Sequence, residues 1–332
     1  MWFEKLTGFP EESPQQVRAN ITFDGDALSS RVNGETFVCG DLETPSLAEL
    51  RERVHSSGHK VGRTSVREIV ANVQYLHTNE ANAGSLFQVA SQFNLLEMVS
   101  PDVTPERGVG IYENDHTQGP ACAVAAGAGT IYRNYFVTVN GQTGQSANNQ
   151  IDGLADIGAA LGNSESRLWE MKNGYALASR SGLVEISDRL LAASERELDK
   201  LRQLLRIGVQ WRTQVTLGDS KHTVSQAYCS ALPVAYSRHY PHLWAEFARL
   251  ILEASYEATI CAAILNSVDN GNNRVFLTLL GGGAFGNDTD WIVGGIRRAL
   301  NLYKHADLDV EIVSYGSSNQ YVQQLVNQIR NE

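Results

Sequence analysis

Residues 275–280, VFLTLL, form a short, largely apolar run of strand length, and they pass directly into residues 281–288, GGGAFGND. Residues 289–303, TDWIVGGIRRALNLY, carry apolar side chains at helical spacing, and residues 309–316, DVEIVSYG, read as a second strand. A buried strand, a glycine turn, a helix and another strand make a β–loop–α–β unit of the kind that builds parallel sheets. This stretch predicts an α/β protein.

The turn inside that unit is chemically suggestive. Gly281, Gly282 and Gly283 can take positive φ and let backbone approach a ligand closely. Their amides, together with the N-terminus of the next helix, make a natural anion site. Ala284, Phe285, Gly286 and Asn287 complete the loop, with Phe285 placed to pack over a ribose or cover phosphates. Asn287, Asp288 and Asp290 are also cap residues, so at least one of them is expected only to start the helix. A tight turn without a ligand is the plain alternative. The pattern is neither a GxGxxG fingerprint nor a P-loop, since no Lys-Ser/Thr follows. Tyr315 ends the next strand, on the side where ligands sit in parallel sheets; if the two strands are neighbours it can stack on a base, and packing at the sheet edge is the plain alternative.

Working outward, the 332 residues suffice for one large domain or two smaller ones, and 42% hydrophobic content fits a real core. The net charge of −10 argues against a nucleic-acid partner but not against a nucleotide, whose pyrophosphate backbone amides can hold. There is no apolar run long enough for a membrane span and no signal-like apolar core near the N-terminus, so a cytoplasmic protein is expected. Cys39, Cys122, Cys229 and Cys261 are scattered without a CxxC pair, which reads as buried thiols rather than zinc ligands.

Residues 20–40 read as short strands with turns at Asp24-Gly25 and Asn33-Gly34. Ser46 with Glu49, and Ser65 with Glu68, have capping-box spacing, and each predicts a helix; the second would run through VREIVANVQYL. SLFQVASQF is a strand, residues 95–120 a long loop, and ACAVAAGAGTIYRNYF a closely packed helix. Residues 137–185 read as an insertion with short strands and a helix near Ile151–Leu161. A charged helix, two strands and the long apolar helix within HLWAEFARLILEASYEATICAAIL follow.

The strand SLFQVASQF closes on Gln92, Asn94 and Glu97, and the loop after it continues GVGIYENDHTQGPACAV. Thr117-Gln118-Gly119-Pro120 looks like a helix start, with Thr117 or Asp115 as its cap. Recognition of ribose hydroxyls wants Asn, Gln, Asp or Glu at a strand end. Cleavage of a glycosidic bond further wants a carboxylate, for which Asp115, Glu113 and Glu97 are the candidates. Capping and surface duty compete for each. His116 adjoins Asp115, but adjacent residues rarely point the same way.

These pieces resemble the macrodomain superfamily, over roughly residues 64–325. VFLTLLGGGAFGN with its helix and DVEIVSYG looks like the diphosphate loop and its flanking strands. SLFQVASQFN followed by GVGIYENDHTQGP looks like the ribose-contacting strand and loop. Within that superfamily the likeness is to divergent poly(ADP-ribose) glycohydrolase-like members, a group that includes effector ADP-ribosylhydrolases acting on modified ubiquitin.

The resemblance implies a three-layer α/β/α macrodomain-like mixed sheet in residues 64–332, with an insertion at about 137–185 and an N-terminal extension of residues 1–63. It implies ADP-ribose or an ADP-ribosylated protein as partner, with no cofactor and no metal. It makes Asn94 a contact to the distal ribose, Asp115 or Glu113 the catalytic carboxylate, and Gly281–Asn287 the diphosphate cradle, with Tyr315 near the adenine. Gln92, Thr117, Gln118 and Gly119 would be further substrate-binding residues. The family's strand end Asn-Ala-Ala-Asn is replaced by ASQFN, and its three glycines followed by a Glu-Glu pair are absent. The resemblance therefore points to removal of a single ADP-ribose from a protein, with arginine as one linkage, rather than to chain cleavage. A module that reads ADP-ribose without cleaving it, or a hydrolase of a free ADP-ribose derivative, are the alternatives.

Overall fold

A computed structural model describes residues 1–331. Seven strands form the central sheet: β1 Asp41–Glu43, β2 Ser65–Val70, β3 Leu86–Ala90, β4 Gly208–Gln214, β5 Thr223–Cys229, β6 Arg274–Leu277 and β7 Asp309–Ser314. Their spatial order is β1-β4-β5-β3-β6-β7-β2. The run from β5 to β2 is parallel throughout, while β4 is antiparallel to both β5 and β1.

Alternate residues of each strand point to opposite faces. Leu86, Ala227, Val275 and Ile312 join one core, with the helices α1 Leu47–Ser56, α5 Ala245–Asn270, α6 Thr289–Leu302 and α7 Gln320–Asn331. Phe87, Val89, Tyr228 and Phe276 join the other, beneath α2 Val73–Thr78 and α3 Gln118–Ala125, with α4 Gly127–Tyr135 following on that side. This is the three-layer α/β/α arrangement with a mixed sheet that the sequence predicts. No helix among the described residues is long and apolar enough to cross a membrane. All four cysteines are free and buried.

The helix α5 is buried on nearly every side, which its apolar sequence foretells. Its Glu257 is an exception in composition but not in physics. Arg51 donates to both of its carboxylate oxygens, at 2.6 and 2.8 Å, and Arg298 donates at 2.5 Å, so the buried charge is compensated.

Three expectations need correction. The helix expected from Ser65 is instead strand β2, paired in register with β7, Val66 opposite Val310. Val66, Ile69 and Val70 are β-branched and suit a pleated surface better than a helix. Ser65 and Glu68 form no capping box: Ser65 donates to Asp309 at 2.7 Å, and Glu68 accepts from the Ser314 hydroxyl and the Asn319 amide, both at 2.6 Å. The Ser46–Glu49 box, by contrast, forms in full. The helix expected across residues 121–136 breaks at Ala126 (φ −118°, ψ 60°), where the Gly127 amide donates to the Thr216 hydroxyl at 2.9 Å.

The third correction concerns the N-terminal 63 residues, which are not a separate appendage. Asp41–Glu43 is the edge strand β1 and α1 packs on α5. Phe3, Leu6, Phe9 and Val17 share a core with Leu96, Val109, Tyr112 and Ile131, directly under the long loop. Residues 137–185 hold two hairpins, Thr138–Thr143 and Trp169–Ala178, around the helix Ala155–Leu161. Leu154, Ile157, Trp169 and Ala176 belong to the main core, so the insertion is built into the domain.

Candidate active site

A cleft with two lobes opens at the carboxyl ends of β3, β6 and β7. The narrower lobe, of cavity volume ≈ 150 Å³, is bordered by Gln92, Glu97, Asp115, Tyr175, Thr278 and Phe285 among others. The wider, of ≈ 560 Å³, is bordered by Asn72, Val73, Glu113, His116 and Tyr315. Asp115, Thr117, Gln118, Thr278 and Gly283 border both.

The glycine loop divides the lobes and is shaped from within. Gly281 (φ +74°) has no room for a side chain, because a Cβ would sit 2.4 Å from that of Ala231. Gly286 (φ +68°) faces Ala235 in the same way, at 2.8 Å. Asn287 is buried. Its amide nitrogens donate to the Gly281 carbonyl (main chain, 2.9 Å) and the Leu232 carbonyl (side chain, 2.8 Å), closing the loop and tying it to the end of β5. Asp288, not Asn287, caps α6, accepting from the Asp290 amide at 2.8 Å. The backbone amides of Gly283, Ala284 and Phe285 find no acceptor among the described residues. No Lys or Arg borders either lobe, so an anion here meets amide dipoles rather than side-chain cations.

Phe285 meets Tyr175 and Tyr236 with ring centroids 5.3 and 5.5 Å apart, and these two rings meet each other at 5.1 Å. This aromatic wall closes one side of the narrow lobe. Tyr175 is fixed by donating to the Met98 carbonyl at 2.6 Å. Neither tyrosine stands out in the sequence: Tyr175 comes from the insertion and Tyr236 from a short turn after β5, and no spacing rule links them to Phe285. Tyr315, at 77% exposure, borders only the wider lobe.

Gln118 and Gly119 fix the start of α3 against the sheet. The Gln118 side chain accepts from the Ala90 amide and donates to the Gln88 carbonyl, both at 2.8 Å, as a neighbouring strand would. Gly119 lies so close to β3 that a Cβ would fall 1.8 Å from the Ala90 carbonyl oxygen. Thr117 occupies the N-cap without a side-chain cap bond, and Asp115 accepts from the Thr117 amide at 2.9 Å. Asp115 is half-buried and borders both lobes; Glu113 borders only the wider one and accepts from the Trp2 amide at 2.8 Å.

Asn94 is not at the cleft. It is fully buried, donating to Gln150 at 2.8 Å and accepting from the Leu96 amide at 3.1 Å, which makes it an anchor for the insertion rather than a ribose contact. Leu95 turns the chain with φ +65°, so the residues after β3 fold back instead of extending over the ligand space. Gln92 does border the narrow lobe, but its amide is engaged with Met98, accepting at 2.9 Å and donating at 3.2 Å.

Glu97 is the buried carboxylate of the narrow lobe. Arg133, itself fully buried, places Nη2 at 3.3 Å from each of its oxygens. The other guanidinium donors go to the Leu95 carbonyl (3.0 Å) and the Tyr228 hydroxyl, with the guanidinium 3.7 Å from the Tyr228 ring centre. Burial pushes the Glu97 carboxyl up to about 7, against the pull of Arg133. Behind this pair, His77 is held down to about 4 by burial and lies 3.0 Å from the Gln226 amide.

No family model matches the chain, and no curated protein matches it in sequence. Among solved structures it is similar to the poly(ADP-ribose) glycohydrolase of Deinococcus radiodurans in complex with ADP-ribose, at 12% identity over 88% of this chain and 94% of that one, with a TM-score of 0.46. It is also similar to the poly(ADP-ribose) glycohydrolase of Thermomonospora curvata bound to the inhibitor ADP-HPD, at 11% identity over 92% and 93% of the two chains, with a TM-score of 0.45. Likeness at this level assigns no role to any residue here.

Proposed function

We propose that the protein is an ADP-ribosylhydrolase that removes a single ADP-ribose from a modified protein. The observation that carries this reading is the position of Gly283, whose unpaired amide lies where the two lobes meet, with those of Ala284 and Phe285 beside it. A ligand with a diphosphate in its middle, a nucleoside at one end and a sugar at the other matches that division. The wider lobe, with Tyr315 and Val73, suits a base; the narrow lobe, walled by Tyr175 and Phe285, suits a ribose.

Hydrolysis needs a carboxylate within reach of the anomeric carbon. Asp115 borders both lobes, and its one contact with the Thr117 amide leaves the second oxygen open to a water. In this reading Asp115 orients that water and takes its proton. Glu113, tied to Trp2, serves the loop's structure. Calorimetric titration with ADP-ribose, with AMP and NAD as controls, tests the ligand. Turnover of a protein mono-ADP-ribosylated on arginine tests the reaction. Asp115→Asn is expected to lower turnover by about 10²–10⁴-fold while ADP-ribose affinity changes little. Absence of ADP-ribose binding by the wild type would overturn the reading; binding without turnover on any protein linkage would make the protein a reader.

A further inference from the structure

We propose that Glu97 is the proton donor of the cleft, delivering its carboxyl proton to the heteroatom that leaves the ribose. This rests on the ADP-ribosylhydrolase reading and extends it to a residue on a different turn from Asp115.

The geometry of the Glu97–Arg133 pair is the first ground. A guanidinium frequently pairs with a carboxylate fork to fork, through two parallel bonds. Arg133 instead offers one nitrogen, equidistant at 3.3 Å from both oxygens and shared with the Thr130 hydroxyl at 3.4 Å, and spends its other donors on Leu95 and Tyr228. Besides Arg133, the Tyr112 hydroxyl hydrogen-bonds this carboxylate and likewise favours its charged form; no further donor among the described residues reaches it. The group is thus held without being saturated, and it borders the narrow lobe.

The second ground is how the residue is built in. The Glu97 amide donates to the Tyr112 hydroxyl at 3.0 Å, fixing the backbone. Gly119 clears space over the side chain, since a Cβ there would stand 3.2 Å from Glu97 Cγ. The third is contrast. Glu97 and Asp115 are the two carboxylates bordering this lobe, one buried and one half-exposed. Two carboxyls in such different surroundings divide into an acid and a base. Burial keeps the Glu97 proton in place near neutral pH.

The step balances as a hydrolysis. The bond from the anomeric carbon to the leaving nitrogen or oxygen breaks, and its electron pair takes the Glu97 proton. Water adds to the anomeric carbon, and its proton passes to Asp115. Solvent then returns a proton to Glu97 and removes one from Asp115.

The test uses the full chain and two variants. Wild-type kcat is expected to fall as pH rises through about 7, since the acid must be protonated. Glu97→Gln is expected to lose about 10²–10⁴-fold in kcat on the arginine-linked substrate with ADP-ribose affinity unchanged. Its loss should be far smaller on a nitrophenyl glycoside of ADP-ribose, whose leaving group needs no proton. Glu97→Asp, which keeps a titrating carboxyl, should retain the alkaline limb at lower rate and serves if the glutamine variant does not fold. Equal losses on both substrates, or an unchanged alkaline limb in Glu97→Gln, would overturn the role. A wild type that fails to bind ADP-ribose would instead overturn the underlying reading, and the titration separates the two failures.

Discussion

Replacing Gly119 by alanine sets a favourable local term against an unfavourable tertiary one. In an isolated helix the exchange is worth about 1 kcal/mol in favour of alanine. Here the new Cβ would lie 1.8 Å from the Ala90 carbonyl oxygen and 3.0 Å from its carbon. Ordinary contact requires the start of α3 to retreat by about 1.7 Å, since nonbonded atoms settle near 3.5 Å. Overpacking of this kind costs about 1–3 kcal/mol. The retreat also stretches both bonds of the Gln118 side chain to β3, each worth about 1 kcal/mol. The net expectation is a loss of about 2–4 kcal/mol, read from urea unfolding by circular dichroism. The same displacement moves Thr117 and Asp115, so turnover should fall by about 10²-fold in protein that remains folded. A Gly119→Ala protein as stable as the wild type would refute the close approach of α3 to β3 and, with it, the placement of Asp115.

Two further outcomes follow from buried groups. Because the folded state holds the Glu97 proton up to about 7 while the unfolded chain releases it near 4.5, the folded state binds more protons between those values, and Glu97 contributes less stability as pH rises through that window. The difference in unfolding free energy between wild type and Glu97→Gln should therefore shift by about 3 kcal/mol from pH 4.5 to 7; a flat difference would contradict a protonated Glu97. Asn94→Ala should cost about 1–3 kcal/mol through the lost contacts to Gln150 and Leu96, yet leave ADP-ribose affinity and kcat/KM within a few-fold. A selective loss of kcat/KM would restore Asn94 to the site.

The sequence made the C-terminal β–loop–α–β unit legible because all of its signals are local: an apolar run, consecutive glycines, an amphipathic helix. Asp115, Thr117 and Gly119 were legible for the same reason, through the helix start that contains them. The reading of Ser65–Val70 as helix went astray because Val66, Ile69 and Val70 satisfy a helical period, while the Val310 partner that makes them a strand lies more than 200 residues away. Asn94 looked like a strand-end ligand because its turn, made by Leu95 at positive φ, has no glycine to announce it. Glu97 was visible as an acidic residue in an apolar stretch, but its importance depends on Arg133, which lies in an unremarkable run of α4. Tyr175 and Tyr236 meet Phe285 only because distant segments converge.

The sheet order has a consequence for the chain as it is made. The strand β3, residues 86–90, sits at the middle of the seven-stranded sheet, yet both its neighbours, β5 and β6, begin beyond residue 222. At ribosomal speeds the gap between making β3 and making β5 is on the order of ten seconds. Throughout that interval LFQVA has neither edge paired, and unpaired apolar strands invite association with other chains. The vulnerable species is thus the nascent chain, and the expectation is a strong dependence of soluble yield on chaperone supply and on growth temperature during expression.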